Sequence, residues 1–73
     1  MNERIIIDPD ICHGKPIIRG TRVPIVRIID GLAGGMTKEE VMREYEVTEQ
    51  DIAAALGYAA ELIEAEEVYL LPA

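Results

Sequence analysis

Two helix-start signals stand eleven residues apart, at Thr37-Lys38-Glu39-Glu40 and Thr48-Glu49-Gln50-Asp51, and they constrain this chain more than any other feature. In each, the threonine hydroxyl can accept an orphan backbone N–H at the helix start, while the acidic residue three places on reaches back to the threonine's own N–H. The second is the weaker form, with aspartate in the glutamate or glutamine place. Met36 and Val47 precede the threonines and are positioned to pack on Val41 and Ile52, as a hydrophobic staple does. Starts this close leave the first helix about two turns, near residues 38–45, with Val41, Met42 and Tyr45 as its apolar side. A short helix, a tight turn and a longer helix follow the order of a helix-turn-helix.

Upstream, proline and glycine set the boundaries. Ile5-Ile6-Ile7 is a β-branched run stopped by Asp8-Pro9-Asp10, and Ile17-Ile18-Arg19 is a second extended candidate between Gly14-Lys15-Pro16 and Gly20. Such short strands form a marginal hairpin by themselves, so they are expected to lie on the helices or to pair with a second chain. Val23-Pro24 opens a helix over about 24–33, with proline in its first turn, Ile25, Ile28, Ile29 and Leu32 on one face, and Gly34-Gly35 at its end. The third helix runs to about residue 66. Ile52, Leu56, Ala59 and Ile63 form its expected core stripe, flanked by Ala55 and Ala60, and Gln50, Ala54, Gly57, Glu61 and Glu64 its outer face. Val68-Tyr69-Leu70-Leu71-Pro72 is an apolar tail that suits a strand.

The expected fold is therefore mainly α: three helices with a helix-turn-helix behind a short N-terminal β segment. With 73 residues there is room for a single domain, divided into an extended segment (1–23), the helices (24–66) and a tail (67–73). Three tyrosines, with no Phe or Trp, make a thin core, and such domains often gain stability from a partner; a homodimer is expected. No apolar run is long enough to span a membrane, no signal pattern opens the chain, and the single cysteine forms no disulfide framework, so a cytoplasmic address is expected.

The net charge of −7 is unevenly placed. Residues 1–45 are neutral and hold every Lys and Arg, whereas residues 46–73 carry Glu46, Glu49, Asp51, Glu61, Glu64, Glu66 and Glu67 and no base. Two faces with separate tasks would produce this asymmetry, and so would a simply solvated acidic helix.

The run Gly14-Lys15-Pro16-Ile17-Ile18-Arg19-Gly20-Thr21-Arg22-Val23-Pro24-Ile25, continued by Leu32-Ala33-Gly34-Gly35-Met36-Thr37 and Asp51-Ile52-Ala53-Ala54-Ala55-Leu56, resembles the family named domain of unknown function 433. The resemblance covers about residues 5–64. The sequence departs at Tyr45-Glu46-Val47-Thr48, where the family usually has a proline after the tyrosine. The resemblance implies a three-helix, homeodomain-like or winged-helix-like domain with a helix-turn-helix, similar to VapB-class antitoxins, which bind a PIN-like nuclease toxin encoded nearby and repress their own operon.

Lys15, Arg19, Arg22 and Arg27 cluster around the loop and first helix, where guanidinium groups match phosphate oxygens and Gly14 and Gly20 let the backbone come close. The patch is either a DNA-backbone contact or a structural set paired with Asp8, Asp10 or Asp30. The start of the third helix offers Glu49, Gln50, Asp51, Ala53 and Ala54. Gln50 can pair with adenine, but the carboxylates oppose phosphate. DNA binding would thus fall to a dimer presenting Arg19, Arg22, Arg27, Lys38 or Arg43. For a protein partner, either a basic toxin or a second copy, the expected contacts are Tyr58, Glu61, Leu62, Glu64, Tyr69 and Leu70. Cys12-His13 lacks a second histidine for a dyad and enough ligands for zinc, so no catalytic residue, cofactor, metal or small-molecule substrate is expected. Antitoxin, DNA-binding regulator without a toxin, and interaction module without nucleic acid remain the open functions.

Overall fold

The computed structural model describes the backbone of residues 3–70 and the side chains of residues 3–65. Strand β1 (Ile5–Ile6) and strand β2 (Ile17–Ile18) precede helices α1 (Ile25–Ala33), α2 (Lys38–Tyr45) and α3 (Glu49–Leu70). The protein is thus mainly helical, with three helices and a two-stranded antiparallel sheet at the N-terminal side.

The two strands pair within the chain and need no second one: Ile5 faces Ile18 and Ile6 faces Ile17. Pairs this short survive because β2 is held on its other edge too. Ile17 bridges Pro24, the Ile18 N–H donates to the Val23 carbonyl at 3.0 Å, and the Ile25 N–H donates to the Pro16 carbonyl at 3.0 Å. The tip between them turns at Gly20, whose φ of 81° is a glycine conformation, and Thr21 Oγ1 locks it by donating to the Ile18 carbonyl at 2.7 Å and accepting the Val23 N–H at 3.0 Å. Ile5, Ile17 and Ile18 are buried, so the sheet is one wall of the core.

Pro24 is the residue before α1, with φ −67° and ψ 139°, rather than part of its first turn. The end of α1 follows the expected glycines. Gly35 takes φ 102°, its N–H reaches the Leu32 carbonyl at 3.1 Å, and the Met36 N–H reaches the Gly31 carbonyl at 3.0 Å, a Schellman closure. Gly31 also faces α2, since a Cβ there would lie 3.5 Å from Val41 Cγ2 and 3.7 Å from Tyr45 Cε2, and 3.1 Å from Met36 Sδ just before that helix.

Both capping boxes form. The Glu40 N–H donates to Thr37 Oγ1 at 3.1 Å and the Thr37 N–H to Glu40 Oε1 at 2.8 Å. In the second box the Asp51 N–H donates to Thr48 Oγ1 at 3.1 Å and the Thr48 N–H to Asp51 Oδ2 at 2.9 Å. Between the boxes the chain turns at Glu46, whose φ of 55° is left-handed and closed to proline. This sequence therefore makes the α2–α3 turn without the family's proline.

The core joins Ile5, Ile18, Ile25, Ile28, Val41, Val47, Ile52, Ala54 and Ala55. This corrects the expected face of α3. Ile52 and Ala55 are buried as expected, but Ala54, assigned outward, is buried too, whereas Leu56 is 45% and Ile63 57% exposed. The inner face of α3 is turned toward Asp51, Ala54, Ala55 and Tyr58. The apolar tail is also corrected in part: residues 67–70 continue α3 rather than forming a separate tail or strand, and residues 71–73 lie outside the described residues.

Ile52→Ala is expected to cost about 2–5 kcal/mol in urea unfolding, whereas Leu56→Ala should change stability by no more than about 0.5 kcal/mol. Equal costs would return Leu56 to the core. Replacing Glu46 by glycine removes a left-handed non-glycine residue and is expected to stabilise by about 0.5–1 kcal/mol in the same experiment.

Candidate nucleic-acid interface

The outer edge of the sheet is cationic. Arg4, just before β1, donates from Nη1 to Asp51 Oδ1 at 3.1 Å. Its carbonyl accepts the Arg19 N–H at 2.6 Å, while Arg19 Nε donates to the Glu3 carbonyl at 2.6 Å. Arg4, Arg19, Glu3 and Asp51 line one shallow depression. Sequence reasoning passed over Arg4 as a site residue, since no local signal links it to a carboxylate 47 positions away.

The proposed pairing of the arginines with Asp8, Asp10 or Asp30 is not what holds the loop. Asp8 Oδ1 instead accepts the Asp10 N–H at 2.8 Å, and Arg19, Arg22, Arg27 and Arg43 make no ion pair among the described residues. All four are exposed, as is Lys15. The loop is held by backbone contacts and by Cys12, whose thiol donates to the Arg22 carbonyl at 3.3 Å. Cys12, His13 and Gly14 all have left-handed φ angles, of 51°, 58° and 80°, a conformation that costs non-glycine residues about 1–2 kcal/mol each. Among the described residues no group of three or more His, Cys, Asp or Glu side chains could hold a metal.

Lys38 is engaged. Its ammonium lies 2.9 Å from Glu49 Oε1, joining the first turns of α2 and α3 at the surface. That hydrogen bond, and then the opposite charge of the partner in each case, raises the Lys38 pKa above 10.5 and lowers that of Glu49 below 4.5. The backbone N–H of Thr37, then its side chain, likewise lowers the Glu40 pKa. At the start of α3 the capping and ion-pair contacts occupy Asp51, and Ala54 is buried, so the surface there presents Gln50 and Ala53 beside the paired Glu49. Neither is cationic, and the basic residues lie on the other elements.

A second depression, of about 330 Å³, runs between α1 and α3. Val26, Ile29, Tyr58, Ala59 and Leu62 line it, and Lys15 is its only charged lining residue. Of the expected partner contacts, Tyr58 is half-buried at its edge and Leu62 lies in its wall. Glu61 and Glu64 are exposed, and the side chains of Tyr69 and Leu70 lie outside the described residues.

Three closely linked helices in helix-turn-helix order, with a two-stranded annex whose arginines stay exposed, define a small trihelical domain of the helix-turn-helix class. The chain belongs to the family described as Protein of unknown function (DUF433), whose model matches residues 5–59. It is similar to the crystal structure of a DUF433 member protein from Anabaena variabilis ATCC 29413, with a TM-score of 0.77 and 30% identity, over 85% of this chain and 62% of that one. The chain therefore spans less than two thirds of that protein's length. No curated protein matches it.

Asp51→Ala is expected to cost about 1–3 kcal/mol: about 1–2 for the lost cap and under about 1 for a pair whose arginine is half exposed. Arg4→Ala should cost less, which urea unfolding of the two variants will compare. Because Glu40 and Glu49 titrate lower in the folded state, their contribution is complete above pH 4.5 and lost as pH falls through their depressed values. Glu40→Gln with Glu49→Gln should therefore flatten the fall of stability below pH 4.5, measured as urea midpoints against pH.

Proposed function

We propose that the protein is the antitoxin half of a type II toxin–antitoxin pair, working in the cytoplasm as a dimer. It holds operator DNA through Arg19, Arg22 and Arg27, with Lys15, Lys38, Arg43 and Gln50 adding contacts, and a PIN-like nuclease through the outer side of α3. One observation carries this reading above the others: Lys15, Arg19, Arg22 and Arg27 make no ion pair with a carboxylate among the described residues, while the excess acid lies in residues 46–73. Unpaired guanidinium groups on a rigid edge suit phosphate. An acidic helix face suits the cationic surface a ribonuclease presents to its substrate.

Contacts from the annex position a duplex and carry little sequence information, so affinity should be strongly ionic. With four to eight phosphate contacts, binding to upstream DNA is expected to weaken about 10²- to 10⁴-fold between about 50 and about 200 mM salt. Arg22→Glu should weaken it at least about tenfold at low salt in a mobility-shift assay. Co-expression with each adjacent gene, tagging only the neighbour, tests the toxin. A stoichiometric complex supports the pair, and a salt-sensitive DNA shift without any retained neighbour leaves a DNA-binding regulator without a toxin. Absence of both leaves an interaction module.

A further inference from the structure

From Ala60 to Ala65 every residue of α3 is exposed, although the stretch contains Leu62 and Ile63, 50% and 57% accessible. At 22 residues α3 is about 33 Å long, against about 14 Å for α1 and about 12 Å for α2, so its distal half outruns the helices it packs on. A helix in water gains most of its stability from packing an apolar face, and no described part of this chain covers that face here. The family match also ends at residue 59, where this stretch begins.

We infer that a second copy of this chain covers it: the distal α3 of each copy packs through Leu62 and Ile63 on the α1–α3 groove of the other. Three observations select a second copy over another occupant. Leu62 is at once a wall of the groove and a protruding residue of the distal helix, so the surface is its own complement, as a two-fold interface requires. Val26, on the opposite wall, is 47% exposed and apolar, so neither side carries a charge into the centre. At the rim the signs oppose: the groove's one charged lining residue is Lys15, and the distal stretch carries Glu61 and Glu64 with no base. This interface rests on the dimeric reading above and is tested without DNA or toxin, so its failure is separable from theirs.

Sedimentation equilibrium of the full chain from about 1 to about 200 µM reads it directly, a span that covers ordinary homodimer affinities. The expected mass approaches about 16 kDa, twice the 8.1 kDa chain. Leu62→Asp and, separately, Val26→Asp should each raise the dimer Kd at least about 100-fold, with at most a small loss of total helicity by circular dichroism. Both side chains are half exposed, so the fold tolerates the changes; urea unfolding of the variants at low concentration confirms that the core stands. Lys15→Glu should weaken the dimer, and adding Glu61→Lys and Glu64→Lys should restore it. A wild-type mass of 8.1 kDa at the highest concentration overturns the proposal, as does a dimer that both aspartate variants leave intact.

Discussion

Placing a carboxylate where water scarcely reaches costs free energy unless its oxygens are engaged, and Asp51 engages both. At 8% exposure it accepts the Thr48 N–H with one oxygen and the Arg4 guanidinium with the other, while its own N–H closes the cap. One side chain therefore fixes where α3 begins and how the first strand sits against it. Arg4 in turn hands its carbonyl to the Arg19 N–H, which continues the sheet edge one residue beyond its last strand pair. Without this junction the sheet would lose its charged tie to the start of α3 and keep its apolar face and the backbone bonds of β2.

What was legible in the sequence was local. The threonine caps, the glycine end of α1 and the proline-bounded strands each depend on residues within a few positions of one another, and they appear where the spacing puts them. The error on α3 has a different origin. Leucine at position 56 outweighs alanine at 54 on any hydrophobic scale, yet the helix is turned so that Ala54 is buried and Leu56 faces outward. The Arg4–Asp51 pair spans 47 positions, and nothing at either end announces it. The candidate site was half readable for the same reason. The arginines were visible as a cluster, but their freedom from Asp8, Asp10 and Asp30 is a fact of three-dimensional placement.

The charge asymmetry also has a physical layout. Arg19, Arg22 and Arg27 of the annex and α1 make no ion pair among the described residues, α2 and α3 meet through the Lys38–Glu49 pair, and beyond Ala60 the described charges are all acidic. A single long helix thus carries both acidic and apolar side chains past the end of the body. Membership of the DUF433 family places the fold among known proteins, and the charge layout supplies the functional argument.

The bare distal turns of α3 carry a consequence for the protein's lifetime. Local opening costs least where helix hydrogen bonds face water on all sides, and six consecutive exposed residues meet that condition. A protease needs a locally unfolded segment, so cleavage would begin there, and any molecule that covers the turns protects them by mass action. Abundance would then set survival: scarce chains are cut, crowded or complexed chains persist. In such a protein the exposed end of one helix acts as a clock that runs only when the chain is alone.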